Sequence, residues 1–118
     1  MSGYLFYPAA DAAQDRIWRD SVAAWGEAQA IRYIQGLHTH LLTLSQTPAL
    51  WRKLPARLAV PADLKLDAYF SRYERHYIFF RVLSGDRIGV LSLLHDRMNI
   101  PVRLAEDLTA LNFRISDN

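Results

Sequence analysis

The sequence predicts an α+β domain in which an N-terminal strand and an α-helical hairpin pack on a small antiparallel β-sheet, followed by a short C-terminal helical segment. Two stretches of helical periodicity meet at Gly26, which indicates two antiparallel helices. Two alternating apolar stretches, residues 76–83 and 87–95, flank a Ser-Gly-Asp sequence and predict a β-hairpin. The length of 118 residues suits a single domain, residues 1–118.

The first half of the chain is expected to form one strand and two helices. Residues 4–7 are largely aromatic and precede Pro8, which suits a strand that ends in a turn. An apolar stripe at helical spacing follows and is expected in the core: Ile17, Trp18, Ser21, Val22 and Trp25. Beyond Gly26, apolar residues recur every three or four positions from Glu27 to Thr47, so the second helix is long.

The second half is expected to form the sheet. Residues 48–61 contain three prolines and predict a loop with about one helical turn. Strand-like composition resumes at residues 64–70 and continues in the hairpin, where Gly85 can adopt positive φ in the turn. After Pro101 the sequence predicts a last helical turn or two, and residues 114–118 predict a frayed tail.

Composition limits the functional classes. Hydrophobic residues make up 51% of the chain and charged residues 22%, as in soluble globular domains, and there is no cysteine for disulfides or thiolate metal sites. No signal-peptide pattern is visible and no apolar run approaches the ~18 residues that span a bilayer, so we expect a cytoplasmic protein without membrane contact. We also expect no cofactor and no metal, since His38 and His40 are two positions apart on a helix and point to different sides.

The basic residues are mostly arginines. The formal net charge is +2, and only Lys53 and Lys65 among the 14 basic residues are lysines. Arginine forms bidentate pairs with carboxylate or phosphate, which favours an acidic partner or a nucleic acid. A coding sequence rich in G·C pairs produces the same excess, so the count alone does not separate the two explanations.

Both faces of the predicted β-hairpin are apolar. The first face carries His76, Ile78, Phe80, Val82, Ile88, Val90 and Leu94. The second face carries Tyr77, Phe79, Arg81, Leu91, Leu93 and His95. The helical hairpin covers one face, so the other is expected to be an open apolar surface, rimmed by Arg81, His95 and Arg97, on which a partner docks. In the alternative arrangement, the segment after Met98 folds back and fills that face.

Two parts of the sequence resemble ParE-type toxins of the RelE/ParE superfamily. The family's helical hairpin, with its tryptophan-glycine link and closing proline, is similar to residues 17–48, IWRDSVAAWGEAQAIRYIQGLHTHLLTLSQTP. The family's closing β-hairpin and His-x-Arg-Met ending are similar to HYIFFRV at residues 76–82, IGVLSLLH at 88–95 and DRM at 96–98. The resemblance extends from residue 4 to about residue 104, which is nearly the whole chain.

The resemblance implies the toxin of a type II toxin–antitoxin module, which a cognate ParD-like antitoxin holds inactive in a hetero-oligomer. ParE-like members poison DNA gyrase, whereas RelE-like members cleave messenger RNA on the ribosome. Such a ribonuclease needs convergent Lys, Arg, Tyr or His groups. The lysine-rich strand of RelE-like members is here LKLDAYFSRYERH, and Tyr77 and Arg103 stand where those members have an arginine and a tyrosine. We therefore interpret the chain as a gyrase poison that acts by binding, without catalytic residues.

Two alternatives stay open. The first is a RelE-like ribosome-dependent messenger RNA endoribonuclease, because Arg97 falls on a matching catalytic position and two histidines can pair across the β-hairpin. Its catalytic candidates are His76, His95 and Arg97. The second is an interaction domain of the same fold without toxicity.

Two binding surfaces are expected on the toxin. The antitoxin is expected to bind the open apolar face at Tyr77, Phe79, Arg81, Leu91 and Leu93. Gyrase, with indirect contact to its bound DNA, is expected to bind residues at and after the end of the last strand: His95, Arg97, Met98 and Arg103. Arg81 has a second explanation, an internal ion pair with Asp67 or Glu74.

Overall fold

The computed structural model describes residues 3–54 and 68–116, which form three α-helices and a five-stranded sheet. In chain order the elements are β1 (Gly3–Phe6), α1 (Pro8–Trp25), α2 (Glu27–Gln46), a 3₁₀ turn (Pro48–Leu50), β2 (Arg52–Lys53), β3 (Ala68–Tyr73), β4 (His76–Leu83), β5 (Arg87–His95) and α3 (Ile100–Ser116). The predicted α+β class is confirmed.

The sheet is mixed, with the strand order β1-β5-β4-β3-β2. Strands β3 to β5 pair in antiparallel fashion, as predicted, and β2 pairs with β3 in the same way, but β1 pairs with β5 in parallel. The prediction of a wholly antiparallel sheet is therefore wrong at this edge. A tight turn fixes the relative direction of β4 and β5, whereas β1 runs directly into a helix and has no turn that fixes its direction.

The helical hairpin is built as the sequence predicts. Pro8 is the first residue of α1, where a fixed φ and a missing N–H cost nothing, so it begins the helix rather than a turn. Gly26 alone links the two helices with φ at +90°, and its N–H donates to the carbonyl of Val22 at 2.9 Å. Leu37 and Leu41 of α2 are fully buried against the sheet.

Trp25 contradicts its predicted place in the core. It is the last residue of α1, at the tip of the helical hairpin, and 74% of its surface is exposed. Trp18, on the same stripe, is half-buried. The periodicity identifies one face of the helix but not where the sheet below that face ends.

A β-bulge interrupts the pairing of β4 with β5. Phe79 pairs with Ser92, whereas its neighbour Phe80 pairs with Val90, so Leu91 is an extra residue in β5. A bulge of this kind places two consecutive side chains on the same face and inverts the alternation of every residue that follows.

The bulge moves three residues to the face opposite the one predicted. Leu93 packs in the core below the helical hairpin, and Leu94 packs on the other face. The ring of His95 contacts His76, which in turn contacts Tyr33 of α2, so His95 also lies on the helical-hairpin side. The predicted faces of these residues are wrong because the prediction assumed strict alternation along β5, which makes no allowance for an extra residue.

Helix α3 covers the second face of the sheet. Leu104 and Leu108 are buried, with only 2% and 1% of their surface exposed. Both pack against Phe79, Leu91 and Leu94. The expected open apolar face is therefore wrong for this part of the sheet, and the alternative arrangement, in which the C-terminal segment fills it, is the one observed. The reason is that a chain of this size exposes little contiguous apolar area when it has a helix that can cover it.

The length of α3 also differs from the prediction. It has 17 residues, instead of one or two turns and a frayed tail, and Pro101 lies in its first turn, where proline is tolerated. Ser92, fully buried in β5, donates a hydrogen bond of 2.6 Å to the carboxylate of Asp107 in α3. This polar contact adds a directional link to the apolar contacts of the helix.

The boundaries of the remaining elements agree only in part with those that the sequence predicts. The 3₁₀ turn is the predicted helical turn of the proline-rich loop, and β2 is a short strand that the sequence does not predict. β3 ends at Tyr73, later than the predicted strand 64–70; residues 64–67 and Arg57 lie outside the described residues. Gly85 has φ at +74°, as predicted for the β4–β5 turn.

Replacing Gly36 by alanine tests the contact between α2 and β3. Alanine in place of a helical glycine normally stabilises by about 0.5–1 kcal/mol. A Cβ atom at position 36, however, would collide with the hydroxyl group of Tyr73. We expect Gly36→Ala to lower the free energy of unfolding, measured by denaturant titration, and the added change Tyr73→Phe to recover most of the loss. A double variant no more stable than Gly36→Ala would contradict this packing.

Candidate functional site

Polar side chains from three strands and a helix meet at the end of β5. His76 and His95 are directly paired across β4 and β5, and their rings are perpendicular with centroids 5.1 Å apart. The pairing expected of these two histidines is confirmed. With Tyr33, Arg72 and Asp96 they form a group that we call the histidine cluster.

His76 is half-buried and connects the histidine cluster to α2. Its Nδ1 atom lies 2.5 Å from the hydroxyl of Tyr33, and the two rings meet edge to face. Burial, and then the charge of nearby His95, lower the pKa of His76 from its ordinary value of 6.5 to about 4. Burial also raises the pKa of Tyr33 to about 12. At neutral pH the tyrosine hydroxyl is therefore the donor and the neutral imidazole is the acceptor.

The turn after β5 is held by a set of hydrogen bonds. The N–H of Asp96 donates to the carbonyl of Arg75 at 2.8 Å, and the N–H of Met98 donates to the carbonyl of His95 at 3.0 Å. The guanidinium of Arg72 donates to Oδ2 of Asp96 at 3.0 Å. Since Arg72 lies on β3, this ion pair fastens the turn to the far side of β4.

The expected target-binding residues share one end of the molecule but differ in exposure. Arg97 and Arg103 are exposed; Arg103 lies 4.0 Å from Glu106 in a loose surface pair. Met98 is half-buried because it packs against the apolar residues beneath α3. His95 is also half-buried, with 33% of its side chain exposed. The described surface thus presents two exposed arginines, Arg97 and Arg103, and the partly exposed imidazole of His95.

The expected antitoxin-binding residues do not form one open surface. Phe79 and Leu91 are buried beneath α3, and Leu93 is buried on the opposite face because of the bulge. Tyr77 and Arg81 are half-buried and face the same side as Phe79. A partner therefore reaches only these two of the five residues while α3 is in place.

Arg81 has no carboxylate within ion-pair distance among the described residues. It pairs across the sheet with Ala68 and Gly89, and Glu74, one of its two expected partners, does not contact it. The other, Asp67, lies outside the described residues. Within residues 3–54 and 68–116, no carboxylate therefore balances the charge of Arg81.

An open groove of about 590 Å³ lies beside Tyr77, at the edge of the sheet where β2 stops pairing with β3. Its lining combines apolar and basic side chains: His40, Ala49, Leu50, Arg52, Phe70, Ser71, Arg72 and Tyr77. Arg52 and Arg72 give its rim a positive charge, which suits an acidic chain.

The other two histidines join structural elements. His38 of α2 accepts or donates hydrogen bonds with Tyr4 of β1 at 2.7 Å and with Gln14 of α1, and burial lowers its pKa. His40 lies 3.1 Å from the hydroxyl of Ser71 in β3. Within residues 3–54 and 68–116 no group of three or more His, Asp or Glu side chains has a metal-binding arrangement. None of the helices in the described part of the chain is both long and apolar enough to span a bilayer.

The family model described as ParE toxin of type II toxin-antitoxin system, parDE, matches residues 4–100. The chain belongs to the ParE toxin family. The match ends at residue 100, where α3 begins, so the helix that covers the second face of the sheet lies beyond the part matched by the ParE model.

Individual ParE proteins are similar over most of the chain. Toxin ParE of Escherichia coli is 29% identical over 108 residues, which cover 92% of this chain and 98% of that protein. Toxin ParE1 of Mycobacterium tuberculosis is 31% identical over 99 residues, which cover 84% and 94%. A chain of the solved structure described as "Chromosomal ParDE TA system from P. aeruginosa" has a similar fold, with a TM-score of 0.60 and 18% identity over 80% of this chain and 96% of that chain.

The sequence identified two members of the histidine cluster, His76 and His95, and the neighbouring Arg97, but not the other three members of the cluster. Asp96 follows His95 directly, and this adjacent pair of an imidazole and a carboxylate is a usable signal. Tyr33 and Arg72 have no local signal, because they reach the cluster only through the packing of α2 and the pairing of β3.

The depressed pKa of His76 predicts how stability depends on pH. Because the folded chain binds this proton less tightly than the unfolded chain, the free energy of unfolding should fall as the pH decreases from 6.5 towards 4. Denaturant titrations of the wild type and of His76→Gln, which cannot titrate here, isolate the effect. We expect the stability difference between the two proteins to narrow towards low pH; a constant difference over this range would contradict the assignment.

Proposed function

We propose that the chain is the toxin of a type II toxin–antitoxin module, acts in the cytoplasm by poisoning DNA gyrase, and is neutralised by a cognate ParD-like antitoxin. Membership of the ParE toxin family supports the toxin role and the antitoxin partner. The observation that carries the choice of mechanism is the turn after β5. It holds the backbone of an exposed arginine, Arg97, beside a histidine cluster that is poorly suited to catalysis.

The histidine cluster is unfavourable for acid–base chemistry. A general base works best when its pKa is near the operating pH, whereas the pKa of His76 is about 4. Its Nδ1 atom already accepts the hydroxyl of Tyr33. Tyr33, with a pKa of about 12, is in turn a weak acid at neutral pH. A surface that acts by binding needs no such proton transfer.

A ribosome-dependent endoribonuclease is the second candidate. It is favoured by the contact between His76 and His95, two imidazoles at 5.1 Å with an arginine two residues further along the chain. In this case His95, a third of whose side chain is exposed, would exchange the proton and Arg97 would stabilise charge at phosphorus. In gyrase poisoning the cut nucleic acid is DNA and the enzyme that cuts it is gyrase. In the second candidate the cut nucleic acid is messenger RNA and the enzyme is the chain itself.

Arg97→Ala tests the target-binding surface. Free wild-type toxin is expected to increase the cleaved DNA that gyrase accumulates, and Arg97→Ala is expected to abolish this increase because the exposed guanidinium contacts gyrase or its bound DNA. Arg16→Ala, which removes an exposed arginine on α1, is the matched control and should behave as the wild type.

The interpretation of this variant requires that it folds. Arg97→Ala should keep the wild-type unfolding midpoint and its affinity for the antitoxin, since the Arg97 side chain is exposed and lies outside the apolar core. Loss of activity with an unchanged fold supports the assignment of Arg97 to the target-binding surface. Gyrase that is unaffected by wild-type toxin, together with cuts in ribosome-bound messenger RNA from the same preparation, would reject gyrase poisoning and favour the ribonuclease.

The antitoxin is expected to dock where the second face of the sheet stays accessible. Tyr77 and Arg81 lie there, and the groove beside Tyr77 has a positive rim at Arg52 and Arg72. An acidic, partly disordered antitoxin segment would bury Tyr77 and pair its carboxylates with these guanidinium groups. Phe79 and Leu91 are reachable only from a conformation in which α3 is not docked.

Arg81→Glu tests this docking site. Reversing the charge should weaken the complex by about tenfold or more, because one carboxylate–guanidinium pair becomes repulsive. Titration calorimetry with the purified antitoxin measures the affinity, and Arg19→Glu, on the exposed side of α1, controls for the change in net charge. Equal affinity of Arg81→Glu and the wild type would place the antitoxin elsewhere.

A further inference from the structure

The turn that presents Arg97 contains a shielded oxygen atom without a partner. The Oδ1 atom of Asp96 is buried and has no hydrogen-bond partner among the residues that the structure describes. The other carboxylate oxygen, Oδ2, accepts a hydrogen bond from Arg72 at 3.0 Å. A buried carboxylate oxygen without a donor costs free energy, so any donor that can reach Oδ1 stabilises the turn.

Nδ1 of His95 lies 3.1 Å from this oxygen. The same Nδ1 atom lies 3.0 Å from the backbone nitrogen of Arg97, whose N–H donates to it. An imidazole nitrogen accepts a hydrogen bond only without a proton and donates one only with a proton. Nδ1 of His95 therefore serves Arg97 or Asp96, but never both at once.

We propose that His95 and Asp96 are positioning residues that couple the presentation of Arg97 to the protonation of His95. In the neutral form, His95 carries its proton on Nε2 and holds the amide of Arg97 through Nδ1. In the protonated form, Nδ1–H donates to Oδ1 of Asp96 and the amide of Arg97 is released to solvent. The proton comes from solvent, since a third of the His95 side chain is exposed.

The charges around His95 act in both directions. Asp96 favours the protonated form, whereas His76 on β4 opposes it when charged, and Arg72 on β3 opposes it by pairing with Asp96. Tyr33 of α2 and Asp20 of α1 act on His76 rather than on His95 directly. The low pKa of His76 keeps that ring neutral at pH values well above 4, so Asp96 is the principal charged neighbour of His95 there.

Nuclear magnetic resonance of the full chain tests the coupling without any target. As the pH decreases from about 8 to about 5, we expect the ring of His95 and the backbone amide of Arg97 to shift with one common midpoint. At high pH the ¹⁵N spectrum should show Nδ1 of His95 unprotonated. Different midpoints for the ring and the amide, or a protonated Nδ1 at high pH, would overturn the proposal; this part of the test needs no variant.

Asp96→Asn tests the acceptor. It removes the negative charge but keeps the shape, so the midpoints of the His95 ring and of the Arg97 amide should move together to lower pH. Asp15→Asn, which removes an exposed carboxylate on α1, is the matched control and should leave both midpoints unchanged. Unchanged midpoints in Asp96→Asn would overturn the role of Asp96.

The consequence for target binding rests on the proposed function and has its own measurement. The increase in gyrase-cleaved DNA is compared at pH about 6 and about 8 for the wild type and for Asp96→Asn. We expect the wild type to lose activity several-fold more than Asp96→Asn at the lower pH. Equal losses would overturn the link between the turn and the target. Coupled midpoints in a protein that has no effect on gyrase at either pH would support the coupling and reject gyrase poisoning.

Discussion

The β4–β5 hairpin is apolar on both faces, and the rest of the structure depends on covering both of them. The helical hairpin covers one face through a row of leucines on α2, and α3 covers the other with Leu104 and Leu108. Neither the helical hairpin nor α3 is stable without the sheet, since a helix of this length is stable mainly through the apolar surface that it buries. The two helical layers and the sheet therefore form one unit with two separate apolar clusters.

The bulge at Leu91 connects this packing to the candidate site. Without the extra residue, His95 would lie on the face of α3, away from His76 and Tyr33. With it, His95 joins the histidine cluster on the helical-hairpin side, and the turn after β5 carries Arg97 outwards at the end of the sheet. One irregular pair in the sheet thus decides which side chains meet at the surface that we assign to the target.

Local signals predicted the regular elements well and the long-range arrangement less well. The single glycine between the helices and the alternation on both sides of Gly85 were sufficient for α1, α2, β4 and β5. The parallel pairing of β1, the bulge at Leu91 and the docking of α3 depend on contacts between distant segments, which periodicity does not contain. The same division applies to the site: His95 and Arg97 were found from their local sequence, whereas Tyr33 enters through tertiary packing.

The central claim is that the turn at residues 95–98 contacts gyrase. Hydrogen exchange of the full-length toxin, with and without gyrase and DNA, measures this contact at the amides of Asp96, Arg97 and Met98, all of which donate hydrogen bonds in the free protein. We predict that gyrase slows exchange at residues 95–98 and leaves the exposed side of α1 unchanged. Unchanged exchange at residues 95–98, with slower exchange along α1 instead, would contradict the proposed contact. So would slower exchange at residues 95–98 that occurs only when ribosomes are present.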